Sequence, residues 1–193
     1  CSFFDVPVVG GNVSLYNELG EGAIDPTPVV SMVGLIDHAE RVTRSGVTES
    51  GLELVLLGGL PLELGGSYYL QTRLGKKEGT CPSVNLGAEK TLQDFLISQI
   101  EKGIICAAHD ISEGGLLVCL SEILFDGEGL GASLSLNELG ESGRLDALLF
   151  GESQARAVVA VNSQNLDAVR QAADQLGCRL ILSVKPMIPT GCA

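Results

Sequence analysis

The chain has 193 residues, 45% hydrophobic and 19% charged, a balance that supports a folded core and excludes a disordered chain. Its net charge of −12 repels nucleic acid and anionic membranes, so neither is an expected partner, and a phosphorylated substrate calls for a mediating cation. Aromatic residues are 4% and tryptophan is absent, so Leu, Val, Ile and Ala must build the core.

In chain order, residues 3–9 read as a buried strand and 13–17 as its extended continuation. Residues 20–28 form a loop broken by Gly20, Gly22, Pro26 and Pro28. Residues 29–36 (VVSMVGLI) read as a second buried strand, too short an apolar run to span a bilayer. The polar stretch 37–51 reads as a connection between domains. Residues 52–57 predict a strand ending at Gly58 and Gly59, and residues 64–68 a turn into a short strand or helix. Residues 75–82 form a charged loop. An amphipathic helix spans 88–102, with Leu92, Phe95, Leu96 and Ile100 on one face and Gly103 just past its end. Residues 104–108 predict a strand, and a mostly apolar helix runs to about Phe125. Ala132, Leu134 and Leu136 alternate with serines as in a half-buried strand. Residues 137–149 read as a short helix. Residues 156–161, 165–176 and 179–184 read as a β-α-β unit, with Gly177 closing the helix and 186–193 as an irregular tail. Alternating strands and helices argue for a layered α/β sheet.

The six cysteines, Cys1, Cys81, Cys106, Cys119, Cys178 and Cys192, include no CxxC pair. They read as buried, reduced thiols rather than disulfides or zinc ligands. The chain opens on Cys and enters its first predicted strand at once, so it reads as a piece of a longer polypeptide.

Three stretches carry polar chemistry at strand ends. In GGNVSLYNE (10–18), glycines permit close backbone approach. Asn12 and Ser14, two apart, share one side of an extended segment. Together they offer an oxygen to a hard cation and a hydroxyl to a substrate; the competing reading is a glycine-bearing bulge and an ordinary turn. In AHDISEGGL (108–116), a strand runs into a helix, and its backbone N–H groups face whatever lies beyond the strand. Asp110 or Ser112 serves there either as a helix cap or as a ligand contact. His109 has no partner at motif spacing that would make it a general base. In FGESQAR (150–156), Glu152, Ser153 and Gln154 either line a pocket or form a corner in which Glu152 pairs with Arg156.

Taken together and in order, GGNVSLYNE, PTPVVSMVGLI, LELGGSYYL, AHDISEGGLLVCLSE and FGESQARAVVAV resemble the second half of the phosphoribosylformylglycinamidine synthase family. That family belongs to the aminoimidazole-ribonucleotide-synthetase-like superfamily, and the resemblance spans roughly residues 3–185. It implies a three-layer α/β/α fold with a mixed sheet for residues 45–193, the C-terminal (B-type) domain. Residues 1–40 become the tail of a preceding ATP-binding (A-type) domain. The implied enzyme is a cytoplasmic ligase of purine biosynthesis that uses ATP and Mg2+. It activates the formamide oxygen of formylglycinamide ribonucleotide, which ammonia from a glutaminase then replaces. By resemblance Gly11 contacts ATP, Asn12 ligates magnesium and Ser14 contacts substrate. The family's catalytic His and most of its ATP and metal ligands lie in the first half, so the chain alone is expected to be inactive. The GESQ stretch matches the second-half copy, so Glu152, Ser153 and Gln154 receive no active-site role. The competing readings are a non-catalytic scaffold with the same fold, or another superfamily member such as a selenophosphate-synthetase-like kinase.

Overall fold

The computed structural model describes residues 1–14, 16–60, 63–134, 144–175 and 180–187, with backbone alone for 175 and 180–187. The chain divides into two units, Cys1–Glu40 and Arg41–Ala193.

The described residues of unit 1 hold four short strands: β1 (Gly10–Asn12), β2 (Glu18–Leu19), β3 (Gly22–Ala23) and β4 (Val29–Ser31). β1 pairs antiparallel with β4, Gly11 opposite Val30, and β2 pairs with β3 as a hairpin. The two buried strands expected at 3–9 and 29–36 are not formed as read. Ser2–Phe4 is a 3-10 turn, pairing covers three residues on each strand, and all six paired residues are exposed. An apolar run is buried only when another layer covers it, and no described residue of unit 1 is buried. The extended continuation at 13–17 is also replaced: the Ser14 hydroxyl donates to the Tyr16 carbonyl and the Asn17 amide to the Ser14 carbonyl, which turns the chain.

Unit 2 is built on a five-stranded sheet of β5 (Leu52–Leu57), β6 (Ile105–Asp110), β7 (Gly131–Ser133), β8 (Ala157–Asn162) and β9 (Leu180–Met187). The spatial order is β6-β8-β5-β9-β7. Where a mixed sheet was expected, every pair of named strands is antiparallel, and the parallel contribution among the described residues is the bridge from Arg44 to Ala107. β8 and β9 both run antiparallel to β5, which lies between them, so the β-α-β unit is split around the central strand. β9 continues through Pro186 and Met187, which pair with β7, so the predicted tail starts no earlier than residue 188. Leu136, most of the helix expected at 137–149, Gly177 and the end of the tail lie outside the described residues.

Among the described residues five α-helices flank the strands: α1 (Tyr68–Leu74), α2 (Leu86–Glu101), α3 (Gly115–Phe125), α4 (Leu145–Phe150) and α5 (Leu166–Gln175). Alternation along the central strands assigns the layers. Leu52, Leu54 and Leu56 of β5, with Val158 and Ala160 of β8, pack on Leu116, Cys119, Leu120 and Ile123 of α3 and Leu148 of α4. Val55, Leu57, Val159 and Val161 point the other way, onto Leu92 and Phe95 of α2 and Val169 and Ala173 of α5. The result is the three-layer α/β/α arrangement, and β5 is buried at all six positions because both of its faces are covered. Asn85 caps α2, its side chain accepting the Ala88 N–H, and the left-handed Gly103 follows the helix end as expected.

β6 breaks the simple alternation. A bulge between Ile105 and Ala107 sends Ile105 to the α2 face and Ala107 to the α3 face. Cys106 is the extra residue and is turned out to solvent on the edge strand. The expectation of buried thiols therefore holds for Cys119 alone among the described cysteines, since Cys1, Cys81 and Cys106 are exposed; Cys178 and Cys192 lie outside the described residues. The connecting stretch 37–51 contributes to the same edge of unit 2. The Arg44 carbonyl accepts the Ala108 N–H, and buried Val47 donates its N–H to Ile123.

Candidate functional site

Gly11 and Asn12 lie on β1 and Ser14 follows in the turn, all three exposed. A Cβ on Gly11 would sit 2.3 Å from the Val29 carbonyl oxygen. Glycine is thus required there by the approach of β4, whatever lies on the strand's other side. Asn12 ends β1 opposite Val29, and no described residue hydrogen-bonds its amide. Ser14 keeps its hydroxyl on the Tyr16 carbonyl at 2.9 Å. Among the described residues no three His, Cys, Asp or Glu side chains gather as a metal site. Asn12 and Ser14 thus bring one amide oxygen and one hydroxyl, compatible with a single contact to an oxygen-seeking cation but not with a complete site.

In unit 2, β6 delivers AHD to the sheet end, and the chain turns through 111–114 into α3. Gly114 and Gly115 have φ of 81° and 74°, a left-handed region open to glycine. A Cβ on Gly115 would lie 2.6 Å from the Phe150 carbonyl carbon. Neither Asp110 nor Ser112 caps α3. The cap residue is Gly114, with no side-chain cap from its own neighbourhood, and its N–H is accepted at 2.9 Å by Oε1 of Glu152. The same oxygen accepts the Tyr68 N–H at the start of α1, also at 2.9 Å.

The corner pairing of Glu152 with Arg156 is therefore not formed. Arg156 instead donates from Nη1 to the Gly151 carbonyl at 3.0 Å. Its side chain is buried, and Nε and Nη2 have no partner among the described residues. Burial pushes its pKa down to about 10. Cys119 lies close by, and burial pushes its thiol up to about 12, with Asp110 and Glu122 adding to the rise and Arg156 opposing it. Ala155 takes a φ of 57°, an uncommon conformation for a residue with a Cβ.

His109 places Nδ1 2.8 Å from the Asp110 carbonyl oxygen and Nε2 3.6 Å from a Glu122 carboxylate oxygen. The Cys119 Sγ lies 4.0 Å from the His109 backbone carbonyl oxygen, and no described hydrogen bond joins a hydroxyl or thiol to the His109 ring. A cleft of about 320 Å3 opens at this sheet end, lined by Glu89, Asp110, Ser112, Glu113 and Glu152 among others. Sequence spacing missed the role of Glu152 because its partners are 38 and 84 residues away. The available signal was a Gly-Gly helix start with no Ser, Thr, Asp or Asn at the cap position itself.

The arrangement is a layered sheet with a Gly-Gly turn after HDISE and a GES segment closing onto it. The family described as AIR synthase related protein, C-terminal domain, matches residues 49–181, and the chain belongs to it. At the level of particular proteins, it is 44% identical over 179 residues to the phosphoribosylformylglycinamidine synthase subunit PurL of Moorella thermoacetica, covering 93% of this chain and 24% of that protein. The corresponding subunit of Alkaliphilus metalliredigens is 40% identical over 176 residues, covering 91% of this chain and 23% of the relative. The chain thus spans about a quarter of the length of these relatives. Among solved structures, PurL of T. maritima complexed with FGAR superposes with a TM-score of 0.67 at 22% identity, over 83% of this chain and 27% of that one. Thiamine-monophosphate kinase of Stenotrophomonas maltophilia superposes with a TM-score of 0.50 at 16% identity, over 85% and 55%. At such identities the superpositions speak for the fold.

Proposed function

We propose that this chain is the C-terminal portion of a phosphoribosylformylglycinamidine synthase. That enzyme is a cytoplasmic, ATP-dependent ligase converting formylglycinamide ribonucleotide to the amidine with ammonia from a glutaminase domain or subunit. The observation that carries the reading is the 44% identity to a PurL subunit across 93% of the chain. The T. maritima PurL structures complexed with ATP and with FGAR support the ligand classes.

On this reading residues 1–40 are the tail of an ATP-binding-type domain and 45–193 form the B-type domain. Gly11 lies against the nucleotide, Asn12 supplies one carbonyl oxygen to Mg2+, and Ser14 contacts substrate once its hydroxyl leaves the Tyr16 carbonyl. Mg2+, when bound, neutralises charge on the phosphates during phosphoryl transfer. The remaining ligands come from the N-terminal domains of the same enzyme. Unit 1 supports this division, because Val8, Val9, Val13, Leu19, Val33 and Leu35 are all exposed and require further protein to cover them.

The test is ATP-dependent amidine formation by the full polypeptide supplied with ammonia directly. Activity is expected there and none from residues 1–193 alone. In the full polypeptide Asn12→Ala should lower kcat/KM by about 10- to 100-fold, as loss of metal support does, and added Mg2+ should recover part of it. Ser14→Ala should act on the nucleotide substrate's KM. Full activity in both variants would remove unit 1 from the site, and a full polypeptide without amidine formation would overturn the reading.

A further inference from the structure

One carboxylate oxygen ties three separate segments of unit 2 together. Oε1 of Glu152 accepts the N–H of Tyr68, the first residue of α1, and that of Gly114, which precedes α3. Neither donor has a local substitute. The Ser67 hydroxyl caps α1 at Leu70, one turn in, and leaves the Tyr68 N–H to Glu152. Gly114 has no side chain of its own to cap α3.

The segment bearing Glu152 is held on both sides. Gly151 donates its N–H to Ala147 and accepts Arg156 Nη1, and the left-handed Ala155 fixes the turn into β8. The carboxylate therefore projects from a fixed base onto two helix starts. It also stands between two clefts. Glu152 lines the acidic one, while Tyr68 and Gly114 line a second, apolar cleft of about 340 Å3. In that second cleft Tyr69 stacks on Phe150 at 4.7 Å.

We propose that Glu152 is a positioning residue, a latch that holds α1 and the β6–α3 turn against the segment before β8 and so fixes the wall shared by the two clefts. α1 is seven residues long with no fully buried residue, so beyond the Tyr69–Phe150 stack packing adds little, and the anchor at its first N–H matters accordingly. This goes beyond the proposed ligase reading and does not depend on it.

Amide hydrogen exchange on the full chain tests it. Glu152→Ala should raise exchange at Tyr68–Leu74 and at Gly114 by about tenfold or more, the factor expected for losing a hydrogen bond to a charged acceptor. Amides of β5 should stay as protected as before. Formate should restore protection in Glu152→Ala by seating a carboxylate on the two N–H groups, where chloride at equal ionic strength does not. Glu152→Gln keeps an acceptor oxygen without the charge, and should fold and show a smaller rise at the same amides. Unchanged exchange at α1 and Gly114 in either variant overturns the latch. So does a rise shared equally by β5, or protection that formate fails to restore. Should Glu152→Ala fail to fold, the Gln variant decides by the same two amide sets.

Discussion

At the residue scale, the α3 face of unit 2 depends on groups with little freedom to change. Gly115 is the clearest case. Any Cβ there meets Phe150 backbone atoms at 2.6 and 2.7 Å in a left-handed conformation. Gly115→Ala combines overpacking against backbone with an unfavourable φ, and should lower unfolding free energy by about 3 kcal/mol, read from the urea midpoint at constant slope. Cys119 makes a prediction in pH. Its folded pKa of about 12 lies above the ordinary thiol value of 9.0, so the fold keeps a proton that the unfolded chain releases. Stability from this group is fully present below about 9 and is lost as pH rises toward 12. Comparing wild type with Cys119→Ala at about pH 8 and about pH 10, wild type should lose roughly 1.4 kcal/mol more than the variant. A thiol reagent should label Cys1, Cys81 and Cys106 in the folded chain and reach Cys119 only on unfolding.

At the element scale, β5 and β8 hold the layers together, each buried on both faces. α2 closes one face through Phe95, which is 0% exposed. Phe95→Ala should cost about 3–5 kcal/mol, the sum of lost transfer energy and the cavity left behind, measured by urea denaturation. These elements were legible in the sequence because local signals and burial agree there: an apolar run at β5 ending in Gly58, a helical stripe of Leu92, Phe95, Leu96 and Ile100, and a glycine past Lys102. Where pattern and environment part, sequence and structure differ. An apolar run at 29–36 gives three strand residues, since hydrophobicity promises burial only if something covers it. The bulge at Cys106 is set by pairing with β8, which no spacing within β6 reveals. The same holds for the Glu152 cap and the Arg156–Gly151 bond, both made by tertiary approach. The candidate site was legible as three polar stretches and not as an arrangement. For Gly11 the structure adds a packing reason, the Val29 carbonyl, that the motif did not contain.

At the scale of the whole molecule, the two units differ in what they can do for themselves. All the buried hydrophobic residues among those described, from Val47 to Ala173, belong to unit 2. Among its described residues unit 1 has two two-stranded ladders and no buried residue, and an isolated two-stranded ladder is marginal in water. Stability is therefore concentrated in residues 41–193, and the two units should respond separately to denaturant and to exchange. A chain starting at Arg41 should melt cooperatively, within about 3 °C of the 193-residue chain, because the buried core on which that transition depends is intact. Residues 1–40 alone should show no cooperative melt by circular dichroism. In the 193-residue chain, amides of Gly10–Asn12 should exchange orders of magnitude faster than those of Leu52–Leu57. If removing residues 1–40 instead lowers the melting temperature by ten degrees or so, unit 1 contributes to the core of unit 2 and the division of stability is wrong. If Gly10–Asn12 and Leu52–Leu57 exchange at one common rate, the chain unfolds as a single cooperative body.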